Sequence, residues 1–104
     1  MSRIRLMTEE AIVSRRILLV DDEPQLLFSL REYLGRVGYE VTAVEDGRSA
    51  LEEILASPPD LIISDIMMEG MDGFEFQRRV QALTDAGIPF IFLTAKGELH
   101  DRLE

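Results

Sequence analysis

Residues 17–24 read ILLVDDEP, and this stretch decides the fold. Four consecutive apolar residues closed by acids are typical of a strand that is buried on both faces of a parallel sheet. Pro24 follows at a place where the first turn of a helix tolerates proline, with Asp22 or Glu23 as the cap. The stretch therefore predicts a buried strand that leads directly into a helix.

The same alternation continues along the chain. A leucine stripe that ends near Gly35 and Gly38 completes the first helix, and the β-branched run 39–44 predicts a second strand. Further elements are expected in this order: a helix over 47–56, a buried strand over 61–64 closed by Asp65, a helix opened by Asp72 and Glu75 as a capping box, a buried strand over 90–93 and a last helix over 95–104. Strands that alternate with helices of this length imply parallel pairing through right-handed crossovers. We therefore expect a doubly wound α/β sheet.

The composition limits the classes of function. The 104 residues include 11 basic and 20 acidic side chains, for a net charge of −9, and no cysteine. This charge argues against binding of nucleic acid or anionic lipid through bulk charge. The absence of cysteine excludes a disulfide framework, a thiolate zinc site and a cysteine nucleophile. Because no apolar run approaches the ~20 residues that span a bilayer, and no export signal is evident, a cytoplasmic protein is expected.

Oxygen-bearing side chains follow three of the four predicted strands. Asp21 and Asp22 follow the first strand, Asp65 the third and Thr94 the fourth. Ligands of open parallel sheets bind outside the carboxyl ends of the strands, so these groups are expected to converge. A single aspartate after a strand is more often a helix cap, but crowded carboxylates call for a cation, and hard oxygen ligands suit Mg²⁺. The pattern predicts a magnesium site suited to phosphoryl chemistry.

Three stretches together resemble the receiver domain of two-component response regulators: residues 17–24 (ILLVDDEP), 61–73 (LIISDIMMEGMDG) and 88–96 (IPFIFLTAK). The resemblance implies a receiver domain over 16–104, preceded by an N-terminal extension over 1–15. It also implies the flavodoxin-like strand order 2-1-3-4-5. Because only four strands are predicted, we expect an incomplete sheet of order 2-1-3-4, with the family's fifth strand and fifth helix missing.

The resemblance also implies the chemistry of the site. Asp65 matches the phosphoacceptor, which takes a phosphoryl group from a sensor histidine kinase or a phosphotransfer protein. Asp21, Asp22 and Asp65, together with the backbone carbonyl of Met67, match the ligands of Mg²⁺. A domain of this kind is a signalling domain that switches an effector or partner, and its only chemistry is self-phosphorylation from a donor and slow self-dephosphorylation.

Residues after the fourth predicted strand match the switch of the family. Thr94 matches the hydroxyl that moves toward the phosphoryl group, and Ala95 matches the residue whose backbone amide contacts a phosphate oxygen. Met67 and Lys96 match positions that tune dephosphorylation.

Two departures from the family pattern bear on activity. Glu69 stands where the family usually has proline, so the loop after Asp65 is expected to be less rigid and more acidic. The family's essential lysine, at the end of a fifth strand, has no counterpart, and Lys96, the only lysine, lies two residues after Thr94. We therefore expect phosphorylation of this chain to be weak or abolished.

Two other functions compete with the phosphoacceptor reading. One is a receiver fold used as an interaction module without phosphorylation. The other is a magnesium phosphohydrolase with an aspartyl nucleophile, which is disfavoured because its acid-x-acid pattern ends the first strand, whereas here the acids are adjacent. Self-association is also expected, through the uncovered edge of the strand at 90–93.

Overall fold

The computed structural model describes residues 15–93 of the chain. The predicted helix over 95–104, with Thr94, Ala95 and Lys96, lies outside the described residues. So does the extension before Arg15. The elements are β1 (Arg16–Val20), α1 (Pro24–Val37), β2 (Glu40–Val44), α2 (Gly47–Ala56), β3 (Leu61–Asp65), α3 (Gly73–Leu83) and β4 (Phe90–Leu93).

The four strands form one parallel sheet of order β2-β1-β3-β4, which confirms the predicted order. The β1 strand lies between β2 and β3, so its backbone is paired on both sides, with Leu19 opposite both Ala43 and Ile63. This position explains why residues 17–20 are all apolar and buried. The carboxyl ends of β1 and β3 therefore lie side by side at one edge of the sheet.

Local sequence determines where the helices begin and end. Asp46 and Asp72 cap α2 and α3 by accepting hydrogen bonds from the amides of Ser49 (2.7 Å) and Glu75 (2.9 Å). The helix α1 ends at Gly38, whose φ of 123° is one that residues with a side chain rarely adopt.

Two predicted caps differ in detail from the structure. Glu23 occupies the N-cap position of α1 but makes no side-chain capping bond. The capping box at α3 is only half formed. The Asp72 side chain makes its bond, whereas the Glu75 carboxylate pairs with Arg79, one turn further along the helix, at 2.9 Å.

The apolar core lies on both faces of the sheet. The larger cluster is covered by α2 and α3 and comprises Leu18, Val20, Ala50, Ile54, Ile62, Met68, Phe76 and Val80. The smaller cluster lies beneath α1 and comprises Ile17, Leu19 and Leu27, with half-buried neighbours such as Ile63. The face of the sheet covered by α2 and α3 is therefore more fully packed than the face covered by α1.

The β4 strand is less buried than its sequence predicts. Within residues 15–93 it pairs with β3 alone, and the side chain of Ile91 is 49% exposed. The continuous apolar run by itself overstates the burial of this strand, for which the four-strand order predicts an uncovered edge. The self-association expected from this edge stays a prediction.

No helix in the described part of the chain has the length and apolar character that crossing a membrane requires.

Candidate functional site

Three aspartates meet at the carboxyl edge of the sheet. Val20 and Ser64 are partners in the β1–β3 register, so Asp21 and Asp65 lie next to each other at the ends of adjacent strands. One carboxylate oxygen each from Asp21, Asp22 and Asp65 lies within 4.8 Å of the other two. The structure thus brings together the three acids that the sequence singles out.

The two innermost carboxylates are buried and held by the backbone. Asp21 is 3% exposed and Asp65 is 8% exposed, whereas Asp22 is exposed. The amide of Glu23 donates to Oδ1 of Asp21 at 2.8 Å, and the amide of Met67 donates to Oδ1 of Asp65 at 3.2 Å. In each case the backbone amide two residues further along the chain holds the carboxylate. Local turns after β1 and β3 therefore position the two buried carboxylates.

Burial and mutual repulsion change the proton affinity of this cluster. Burial, with the charges of Asp65 and Asp22, raises the pKa of Asp21 to about 6, against the lowering effect of the Glu23 amide. Burial also raises the pKa of Asp65, against the hydrogen bond from the Met67 amide and with the charge of Asp22. Two buried carboxylates therefore hold their negative charge at a cost, which a nearby cation relieves.

The donor set fits a hard divalent cation. Carboxylate oxygens from three residues, two of which have pKa values raised chiefly by burial and also by neighbouring charges, are the ligands that Mg²⁺ prefers. Glu23 adds a fourth negative charge, which raises the pKa of both Asp21 and Asp65. The sequence pattern indicates only a helix-capping role for Glu23.

The structure describes only some of the remaining predicted site residues. Met67 follows the site directly, with an exposed side chain and an amide bonded to Asp65. Glu69 is exposed in the same loop. Thr94, Ala95 and Lys96 lie outside the described residues, so their roles stay predictions.

Two residues close to the Asp65 backbone were not singled out from the sequence. The hydroxyl of Ser64 donates to the carbonyl oxygen of Asp65 at 2.8 Å. The amide of Gly73 donates to the carbonyl of Ile66 at 2.8 Å, and a β-carbon on Gly73 would lie 2.5 Å from the Asp65 carbonyl oxygen. The sequence signals were a hydroxyl residue within a buried strand and a glycine directly after the cap Asp72.

Residues 17–104 match the family model of the response regulator receiver domain. The chain belongs to this family. Over 88 residues it is 41% identical to the transcriptional regulatory protein BaeR of Escherichia coli, an alignment that covers 85% of this chain and 36% of BaeR. The chain spans little more than a third of the length of the curated relatives it matches.

Solved receiver domains share the fold. The chemotaxis response regulator CheY4 of Vibrio cholerae aligns with a TM-score of 0.74 and 33% identity, covering 86% of this chain and 76% of CheY4. The response regulator TrrA of Thermotoga maritima, solved in complex with Mg²⁺ and BeF, aligns with a TM-score of 0.73 and 36% identity, covering 86% and 76%. Both support the flavodoxin-like receiver fold predicted from the sequence.

Membership of this family bears on the competing readings. A receiver domain of response regulators is a signalling domain, and the chain's acids are adjacent at the end of β1, with the third at the end of β3. The phosphohydrolase alternative required a different placement of its acids. It receives no support from the fold or the relatives.

Proposed function

We propose that this receiver domain accepts a phosphoryl group on Asp65 from the phosphohistidine of a sensor histidine kinase or a phosphotransfer protein. The phosphorylated state then switches an effector or partner. The observation that carries the proposal is the cluster of Asp21, Asp22 and Asp65 within 4.8 Å at the carboxyl edge of a receiver fold. We also propose that the receiver domain covers residues 16–104, after an extension over 1–15, and that the protein is cytoplasmic.

Mg²⁺ is the proposed cofactor, held by Asp21, Asp22, Asp65 and the backbone carbonyl of Met67. When bound, it offsets the negative charge shared by the carboxylates and the transferring phosphoryl group. Support comes from the crowded donor set and from the similar protein TrrA, which was solved with Mg²⁺ and BeF.

Asp65 acts as the nucleophile. An ionised oxygen of its carboxylate forms a bond to phosphorus while the phosphorus–nitrogen bond of the phosphohistidine breaks, and the electron pair of that bond leaves with the imidazole. The product is a mixed anhydride on Asp65. The hydrogen bond from the Met67 amide restrains the carboxylate, which reduces the orientational freedom that must be lost before attack.

The switch and the lifetime of the phosphorylated state are assigned to neighbouring residues. Thr94 supplies the hydroxyl that moves toward the phosphoryl group, and the Ala95 amide contacts a phosphate oxygen. The side chains of Met67 and Lys96 tune dephosphorylation. The added negative charge and acceptor oxygens on Asp65 provide the free energy that biases the switch.

Incubation with Mg²⁺ and acetyl phosphate, followed by intact-mass analysis, tests the proposal. A phosphoryl adduct at low occupancy, no more than one group per chain and formed only with Mg²⁺, is expected. Complete absence of an adduct with well-folded protein would contradict the proposal and support the phosphorylation-independent interaction module. Release of phosphate over many turnovers would support the phosphohydrolase instead.

A further inference from the structure

The peptide that follows Asp65 is held between two residues outside the carboxylate cluster. Ser64 contacts the Asp65 carbonyl through its hydroxyl, and Gly73 lies so close to the same carbonyl that a β-carbon on it would be 2.5 Å from the carbonyl oxygen. We propose that Ser64 and Gly73 are positioning residues that fix the backbone of the phosphoacceptor and thereby set Mg²⁺ affinity and the rate of phosphorylation. The inference rests on the proposed function of Asp65.

Ser64 places a hydroxyl where the fold favours an apolar side chain. Its side chain is 0% exposed and lies on the same face of β3 as Ile62, which belongs to the apolar cluster under α2 and α3. A buried hydroxyl costs free energy unless it is hydrogen-bonded. Here the bond is made to the carbonyl of the next residue, Asp65, at 2.8 Å, so the hydroxyl restrains the peptide that carries the phosphoacceptor.

Gly73 lets the first turn of α3 approach the same peptide. A β-carbon on this residue would lie 2.5 Å from the Asp65 carbonyl oxygen, 3.0 Å from Cα of Ile66 and 3.1 Å from the ring of Phe92. Two of these atoms belong to the backbone, which cannot move aside as a flexible side chain would. An alanine at this position must therefore displace either α3 or the Asp65 peptide.

Other glycines in the described residues lack this relation to the backbone. Gly35, within α1, has no other group within 4 Å of the position of its missing β-carbon. At Gly47 the nearest group is the side chain of Met71, with Sδ at 2.8 Å, and a methionine side chain adjusts readily. Gly73 is thus distinguished by its contact with the phosphoacceptor backbone, and Gly35 serves as a matched control.

The position of this peptide matters for the site because Asp65 is the last residue of β3. The Asp65 carbonyl begins the turn whose Met67 amide holds the Asp65 carboxylate. A shift of this peptide changes the position of the carboxylate relative to Asp21 and Asp22. Misplacement by about 1 Å reduces the rates of oriented reactions by as much as about 100-fold.

Four variants of the whole chain test the inference: Ser64→Ala, Ser64→Cys, Gly73→Ala and the control Gly35→Ala. Mg²⁺ affinity is measured by calorimetric titration, the rate of phosphorylation with acetyl phosphate at saturating Mg²⁺, and stability by urea unfolding. Both measurements of the site are made where circular dichroism shows each variant to be fully folded.

The two site positions should respond differently from the control. Loss of the hydroxyl in Ser64→Ala should weaken Mg²⁺ binding about two- to tenfold, the range expected for one hydrogen bond. Ser64→Cys, which nearly keeps the volume, should behave in the same way. Gly73→Ala should slow phosphorylation about 100-fold. Gly35→Ala should leave both properties unchanged and increase stability, since alanine is the better helix former.

The contradicting results are distinct from failure of the proposed function. If the wild-type chain neither binds Mg²⁺ nor takes a phosphoryl group, the proposed function fails, and this inference with it. If the wild-type chain does both, unchanged Mg²⁺ affinity and rate in Ser64→Ala and Gly73→Ala would overturn the inference alone, even if both variants lose stability. Should Gly73→Ala fail to fold, the two Ser64 variants decide.

Discussion

Two acid pairs follow neighbouring strands, and the structure uses them differently. Asp21-Asp22 comes after β1 and Glu45-Asp46 comes after β2, each directly behind a valine. Asp46 is exposed and caps α2, and its bond from the Ser49 amide lowers its pKa. Asp21 is buried, and the pKa of its carboxyl is raised to about 6, chiefly by burial.

Strand order explains the difference. Since β1 lies inside the sheet, Asp21 sits between the ends of β2 and β3, with its amide bonded to the carbonyl of Val44 and its carboxylate near Asp65. The β2 strand is at the edge, where Asp46 meets water and a helix terminus. A similar local sequence thus gives a buried member of a carboxylate cluster on a central strand and a helix cap on an edge strand.

The largest expected effect separates Asp65 from Asp46. Asp65→Asn removes the nucleophilic carboxylate, so the phosphoryl adduct formed with acetyl phosphate should disappear while circular dichroism shows an intact fold. Asp46→Asn should form the adduct as the wild-type chain does, because Asp46 lies outside the cluster. A full-strength adduct on Asp65→Asn, measured by intact mass, would show that another residue is the phosphoacceptor.

The pH dependence of stability tests the raised pKa of Asp21. Since its folded-state pKa is about 6, against an ordinary 3.8, the folded chain binds this proton more tightly than the unfolded chain. Without divalent cation, the free energy of unfolding should therefore rise as the pH falls from about 7.5 toward about 4, by up to about 3 kcal/mol. Asp65 acts in the same direction. Urea unfolding at several pH values measures the effect.

Matched variants sharpen this test. Asp21→Asn should flatten the profile. Asp46→Asn should leave it unchanged above about pH 5, because a lowered pKa contributes stability that is lost only below the ordinary pKa. Saturating Mg²⁺ should also flatten the profile, since the cation competes with the proton. A wild-type chain that loses stability between about pH 7.5 and about pH 5 would contradict the assigned shift.

Of the two acid pairs, only Asp21-Asp22 should affect Mg²⁺ affinity. Asp22→Ala removes one carboxylate from the cluster and should weaken Mg²⁺ binding about tenfold or more, with a matching loss of the Mg²⁺-dependent increase in melting temperature. Asp46→Ala should keep the wild-type response. If Asp22→Ala and the wild-type chain show the same response to Mg²⁺, the three-carboxylate site is wrong.

The smallest expected effect is on stability and concerns Asp46, in the acid pair that follows the edge strand β2. Asp46→Ala removes the cap of α2 and should lower the free energy of unfolding by about 1 kcal/mol, the usual value for an N-cap aspartate. Chemical denaturation at neutral pH measures this. An unchanged stability would indicate that the Ser49 bond contributes nothing to the folded state.

The fold was largely predictable because its signals are local. Continuous apolar runs marked β1 and β3 as buried strands. The bounds of α2 were predicted residue for residue, since Asp46 caps its start and Ser57-Pro58 follows its end. The exposure of Ile91 does not follow from its apolar run, which predicts burial, but from the strand order, which places β4 at the end of the described sheet. The Glu75 side chain pairs with Arg79 instead of completing the capping box, and the sequence is compatible with both arrangements.

The three acids of the candidate site were predictable from the sequence, whereas the residues that hold the backbone of Asp65 were not. Adjacent acids after one buried strand and a single acid after another indicated the cluster of Asp21, Asp22 and Asp65. The bond from Ser64 to the Asp65 carbonyl and the close approach of Gly73 depend on distances between atoms, which a sequence pattern does not contain. The contrast between Asp21 and Asp46 likewise required the strand order.

Chemical mapping of the phosphorylated residue tests the central claim most directly. The chain is incubated with acetyl phosphate and Mg²⁺, treated with borohydride to reduce the acyl phosphate to an alcohol, digested and sequenced by mass spectrometry. Homoserine at position 65 alone is the predicted result. Homoserine at Asp21 or Asp22, or an adduct that yields none at position 65, would contradict the assignment of Asp65 as the phosphoacceptor.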